Sequence, residues 1–146
     1  METANRGNYF TCREWFMDVL KGQNVILCYT SAIECHGLFS GYLNEIQIDV
    51  YALEKGEDEN INYCVVDSFD GIETVRFGDL VCTSINQTIN DMLADFDNID
   101  EQSLIEGVGM YYHMNGESFN SLEILPQNMD RFNDIKDWAI EYWEEC

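Results

Sequence analysis

The chain has very little positive charge: 7 lysines and arginines stand against 28 aspartates and glutamates over 146 residues, a formal net charge of -21. None of the seven lies between Arg76 and Arg131, a stretch that holds Asp79, Asp91, Asp95, Asp97, Asp100, Glu101, Glu106, Glu117, Glu123 and Asp130. A field of that sign repels phosphate and draws cationic surfaces in, so a basic protein partner is expected and direct nucleic-acid binding is not. Proline is nearly absent too, with Pro126 alone, and no Ser/Gly-rich tract marks a linker; one domain over 1–146 is expected. No apolar run approaches the roughly 18 to 20 residues that span a bilayer, and the polar start Met1 to Asn8 lacks a signal peptide's apolar region. Six cysteines, at 12, 28, 35, 64, 82 and 146, form no closely spaced pair of the kind zinc sites use. Without a secretory signal they read as reduced thiols, and a cytoplasmic protein with no membrane contact is the expectation.

What is present suffices for a core. Apolar residues make up 46% and aromatics 13%, which separates the chain from disordered acidic tails. Thr11 and Glu14 form a capping box ahead of Trp15, Phe16, Val19 and Leu20, predicting a short helix over 12–21 that stops at Gly22. Val25 to Tyr29 is a compact apolar run, a strand or a buried turn. Ser31 with Glu34 reads as a second capping box, for a helix over 32–36 with Gly37 as its stop. Residues 46–53 alternate, with Ile46, Ile48, Val50 and Ala52 facing one way and Gln47, Asp49 and Tyr51 the other, as in a half-buried strand. The acidic loop Lys55 to Asn60 leads to a second strand over 61–68, and Ile72 to Phe77 faces Leu80 to Thr83 across Gly78-Asp79 as a hairpin.

From Ser84 the period becomes helical. A third capping box with Gln87 opens a helix through Leu93, and Asp100 caps another that runs to Asn115-Gly116. Ser118 to Leu125 reads as a short helix or turn, and Pro126 launches a final helix. The sheet region is then 25–83 and the helical region 84–146. Together they predict an α+β fold, a small mostly antiparallel central sheet with a helical C-terminal half.

Asp95, Asp97 and Glu106 match part of a calcium-loop template, but Ile99 and Asp100 stand where it needs an oxygen ligand and a glycine. A capped connection between helices is the better reading. Nucleotidyl transfer needs two carboxylates on a strand after a Gly-Ser turn to hold Mg²⁺. Here Thr30-Ser31 precede Asp49 alone, with Gln47 and Tyr51 at the alternate positions. That predicts no catalytic residue, no metal and no cofactor. The acidic runs read as solvated faces or as partner contacts. The partner-binding candidates are Asp95, Asp97, Asp100 and Glu101 in one run and Glu57, Asp58 and Glu59 in the other. Trp143, in the aromatic tail, is a further candidate, against the plainer reading of a packed helix face.

Two segments resemble a known family. Thr30-Ser31-Ala32-Ile33-Glu34-Cys35-His36-Gly37-Leu38 is similar to the S-A-L-x-x-H-G-L helix in the C-terminal domain of AbiEi-type antitoxins. Val81-Cys82-Thr83-Ser84-Ile85-Asn86-Gln87-Thr88-Ile89-Asn90-Asp91-Met92-Leu93 resembles the v-T-S-x-x-R-T-x-x-D-L-L segment that follows their hairpin. Gln87 stands where the family has arginine, and about two dozen residues precede the match where the family carries a winged-helix DNA-binding domain. Arg6, Arg13 and Lys21 are too few for a basic reading head. The resemblance implies a non-enzymatic antitoxin-like domain that neutralises a nucleotidyltransferase-type toxin. The alternative is an inhibitory nucleic-acid mimic, of the antirestriction or anti-CRISPR type, that binds a basic nucleic-acid-binding protein. A metal-dependent phosphoryl-transfer enzyme is the third class.

Overall fold

Capping side chains set the start of three helices. Thr11 Oγ1 accepts from the Glu14 N–H at 3.2 Å, Ser84 Oγ from the Gln87 N–H at 3.0 Å, and Asp100 Oδ1 from the N–H groups of Gln102 and Ser103 at 3.0 and 3.4 Å. The computed structural model describes residues 11–39 and 47–144, so Ile46 of the alternating segment, Arg6 and Cys146 lie outside the described residues. The described elements run α1 (Cys12–Leu20), β1 (Val25–Leu27), α2 (Tyr29–Cys35), β2 (Ile48–Ala52), β3 (Ile61–Val65), β4 (Thr74–Phe77), β5 (Leu80–Thr83), α3 (Ile85–Ala94), α4 (Glu101–Met114) and α5 (Met129–Glu144). Residues 118–125 form turns, and Pro126–Asn128 make a 3-10 turn that leads into α5.

The fold is α+β with a helical C-terminal half. Its sheet is mixed, in the order β3-β2-β1-β5-β4. The pairs β1–β2 and β4–β5 are antiparallel; β1–β5 and β2–β3 are parallel. The parallel β2–β3 pair has a physical reason. A short connection normally makes a hairpin, but residues 53–60 run back along the sheet so that Ile48 starts opposite Ile61 and Ala52 ends opposite Val65. Gly56 lets that return pass over the ring of Tyr63: a Cβ there would stand 2.6 Å from Tyr63 Cζ.

The second expected capping box is corrected by the structure. The chain leaves β1 in a sharp turn at Tyr29, whose φ of 47° lies in the left-handed region, and α2 therefore begins two residues before Ser31. Ser31 sits inside the helix, and its hydroxyl accepts from the Asp49 N–H at 2.8 Å. The end of α2 follows the expectation. Gly37 has φ 77°, its N–H reaches the Glu34 carbonyl at 2.9 Å, and the Leu38 N–H reaches the Ile33 carbonyl at 3.1 Å.

α2 stands between two cores. Ala32 and Cys35 pack with Trp15, Phe16, Leu27, Ile48, Val50 and Cys82 on one face of the sheet. Ile33 turns the other way, to Ile89, Met92, Leu104, Val108, Phe132 and Ala139 of the helical half. Each fully buried Val, Leu, Ile, Phe or Met among them contributes about 1.5 to 3 kcal/mol before chain entropy is counted. No helix among the described residues is long and apolar enough to cross a membrane.

Candidate partner-binding cleft

The alternation of β2 divides its side chains as the sequence predicts: Ile48, Val50 and Ala52 enter the core shared with α1, and Asp49 and Tyr51 face the other way. On that second face lies a cleft of about 470 Å³. Gln47 just before β2, Asp49 from β2, Asn62, Tyr63 and Cys64 from β3, Tyr29 and Thr30 from the start of α2, and Asp95, Asn98, Ile99 and Asp100 from the α3–α4 connection line it. Three carboxylates from two segments, β2 and the α3–α4 connection, thus share one opening.

Each is held. Asn62 Nδ2 donates to Asp49 Oδ1 at 3.0 Å, which fixes the aspartate rotamer across the parallel pair. Burial raises the Asp49 pKa to about 6; the Asn62 bond and the Ser31 backbone N–H oppose the shift and Asp100 adds to it. Asp95 accepts from Tyr29 Oη at 3.4 Å and from Asn98 Nδ2 at 2.8 Å. Asp100 is fixed as the cap of α4. Behind it, Ser103 Oγ donates to the Asp100 carbonyl at 2.9 Å and meets buried Thr30 Oγ1 at 2.7 Å, which joins α2 to α4.

Tyr29, one of the lining residues, packs on Tyr51 of β2. The rings of Tyr29 and Tyr51 lie 5.6 Å apart, tilted by 59°. Burial raises both phenol pKa values, so neither is an activated nucleophile. Burial also raises Cys28 and Cys64, which holds those thiols protonated. Asp49 has Gln47 and Tyr51 as its same-face neighbours on β2, and the Ser31 hydroxyl is occupied by the Asp49 N–H. Among the described residues no three of His, Cys, Asp and Glu converge as metal ligands.

The two sequence-level acidic runs meet at this cleft in part. Asp95 and Asp100 line it, whereas Asp97 lies beside it on a 3-10 turn, Phe96–Asn98, and Glu101 on the first turn of α4. Gln47 Nε2 donates to the Glu59 carbonyl at 3.1 Å, which ties the end of the 53–60 loop to a cleft residue, but Glu57, Asp58 and Glu59 do not line the cleft. Trp143 lies elsewhere. Its indole N–H donates to the Glu106 carbonyl at 2.9 Å and its ring packs edge-on to Tyr142, inside the α4–α5 contact. Glu106 itself accepts from the Tyr142 hydroxyl, away from Asp95 and Asp97. The tryptophan open to solvent is Trp138, at 53% exposure. Asn62, Tyr29 and Cys64 escape sequence reasoning because the β2–β3 register and the turn at Tyr29 leave no local mark. The alternation that puts Asp49 on the second face was the available signal. Neither a family model nor a curated protein matches this chain.

Proposed function

We propose that this chain is a non-enzymatic, antitoxin-like protein that neutralises a basic, nucleotidyltransferase-type toxin by binding it. The convergence of Asp49, Asp95 and Asp100 on one cleft carries the reading. A cationic surface entering there meets fixed carboxylates that belong to a chain of net charge -21. Such a field acts first on the encounter rate and on the choice of partner, and less on the lifetime of the complex. The resemblance of residues 30–38 and 81–93 to AbiEi-type antitoxins supplies the class of partner. Those residues themselves are mainly core: Ala32, Ile33, Ile89, Met92 and Leu93 are buried. The family likeness therefore speaks for a shared scaffold and the carboxylates for the contact.

The test is rescue of growth. Co-expression with a nucleotidyltransferase-type toxin encoded beside this gene is expected to restore growth. A variant carrying Asp95→Asn, Asp97→Asn, Asp100→Asn and Glu101→Gln is expected to rescue less well at equal abundance. Growth arrest that the intact chain leaves untouched would overturn the proposal. So would nucleotide transfer by the purified chain with Mg²⁺ or Mn²⁺ that disappears in Asp49→Asn.

A further inference from the structure

β3 ends the sheet on one side, and among the described residues no strand lies beyond it. Its sequence, Ile61-Asn62-Tyr63-Cys64-Val65, contains no charge and no proline, the devices that keep an open edge from pairing with another chain. Val65 is 54% exposed, and Asn62 is exposed as well. The opposite outer strand, β4, carries Arg76.

A depression lies on each face of the sheet next to this edge. On one face Asn62 and Cys64 border the acidic cleft with Asp49, Asp95 and Asp100. On the other, Tyr63 borders a hollow of about 360 Å³ in which Val25, Ala52 and Leu53, the last 47% exposed, stand beside Gln23, Asn24, Glu54 and Lys55. A chain laid along β3 sends successive side chains to opposite faces. One set would meet the carboxylates and the alternate set would lie on the side of Tyr63 and the exposed Leu53.

We propose that β3 accepts, by strand addition, an extended segment of a basic partner in which lysine or arginine alternates with apolar residues. Backbone bonds to the open edge supply affinity, and the carboxylates Asp49, Asp95 and Asp100 on one face, with Tyr63 and Leu53 on the other, select the alternating pattern. Charge complementarity chooses this occupant over a second copy of the chain, whose own surface is acidic. The proposal rests on the basic-partner reading and adds to it where on the molecule the partner pairs and in what conformation.

The experiment uses the whole chain and two synthetic peptides of identical composition. One alternates lysine and valine; the other holds its lysines and valines in separate blocks. At about 150 mM salt, where charges more than about 8 Å apart are largely screened, the alternating peptide is expected to bind roughly tenfold more tightly. It is also expected to protect the backbone amides of residues 61–65 from hydrogen exchange. Val65→Lys places a charge on the exposed edge and is expected to abolish that preference, whereas Val65→Thr retains it; thermal melts confirm that both fold. Equal, salt-sensitive binding of the two peptides without protection at 61–65 overturns strand addition and leaves the basic-partner reading standing. Binding of neither peptide overturns both. Protection of 61–65 in the absence of peptide, together with self-association, assigns the edge to a second copy and overturns the proposal.

Discussion

The phenol of Tyr51 donates to Asp91 Oδ2 at 2.8 Å, fastening β2 to α3 across the second face of the sheet. The other oxygen of Asp91 accepts from Gln87 Nε2 at 2.9 Å, and Gln87 Oε1 accepts from the Glu73 N–H at 3.0 Å. Burial raises the Asp91 pKa, and the two side-chain donors oppose that shift. Tyr51→Phe removes one donor from a half-buried carboxylate. Urea unfolding at neutral pH is expected to show a loss of about 1 to 3 kcal/mol. The loss should shrink in acid, where the protonated carboxyl needs the phenol less. A loss that is unchanged in acid would mean that ring packing, not the bond to Asp91, carries the effect.

Asp49 titrates at about 6 in the folded chain against an ordinary value of 3.8. The folded state holds this proton more tightly than the unfolded state does. Its contribution to stability is therefore fully present below pH about 4 and is lost as pH rises through about 6. Asp49→Asn keeps an acceptor for Asn62 and removes the titration. The variant should exceed the parent in stability at pH about 7 to 8, by at most about 3 kcal/mol, with the gap closing below pH about 4. Parallel stability curves for the two proteins across that range would contradict the buried-carboxylate account.

The parts of the fold that were legible in sequence are those written in local chemistry. Thr11, Ser84 and Asp100 cap the helices they were expected to cap, and Gly37 closes α2. The alternation around Asp49 placed it on the correct face of β2. Ser31 misled because a capping residue and a buried hydroxyl inside a helix look alike until the turn at Tyr29 is known. The parallel β2–β3 pair was illegible because a connection of that length usually makes a hairpin, and only the passage of Gly56 over Tyr63 shows the return path. The cleft joins residues from α2, β2, β3 and the α3–α4 connection, a juxtaposition no single segment encodes.

Asn90, on α3, holds the irregular segment before α5. Its Nδ2 donates to the Glu123 carbonyl at 2.7 Å, and its Oδ1 accepts from the Leu125 N–H at 2.8 Å and from Asn128 Nδ2 at 3.0 Å. Asn90→Ala leaves those backbone groups and buried Asn128 without these partners. A fall of about 2 to 4 kcal/mol is expected in chemical unfolding, as several bonds to poorly solvated groups are lost together. Hydrogen exchange should quicken first at residues 123–128; exchange that quickens evenly over the whole chain would contradict a local clamp.

Gly109 marks a close approach of α4 to α5. A Cβ there would overlap the Ala139 carbonyl oxygen and come within 2.5 Å of Trp143 Cδ1. Alanine raises helix propensity by roughly 1 kcal/mol, yet separating two packed helices costs about 1 to 3 kcal/mol. The clash involves backbone, so it should win: Gly109→Ala is expected to lower the melting temperature and increase Trp143 exposure to a fluorescence quencher. A higher melting temperature would show that the helices shift apart at little cost.

A basic toxin drawn in by the acidic cleft should associate at a rate set by those carboxylates. Stopped-flow mixing with the rescued toxin, across a salt series, measures this directly. The intact chain is expected to associate fast at low salt and to slow steeply as salt rises. Asp95→Asn, Asp97→Asn, Asp100→Asn and Glu101→Gln combined should slow association and flatten that dependence, with dissociation little changed. Asparagine at 100 keeps the cap of α4, where alanine would cost about 0.5 to 2 kcal/mol of stability. An association rate identical to that of the intact chain, in a variant that melts normally, would contradict the assignment of this surface to the partner.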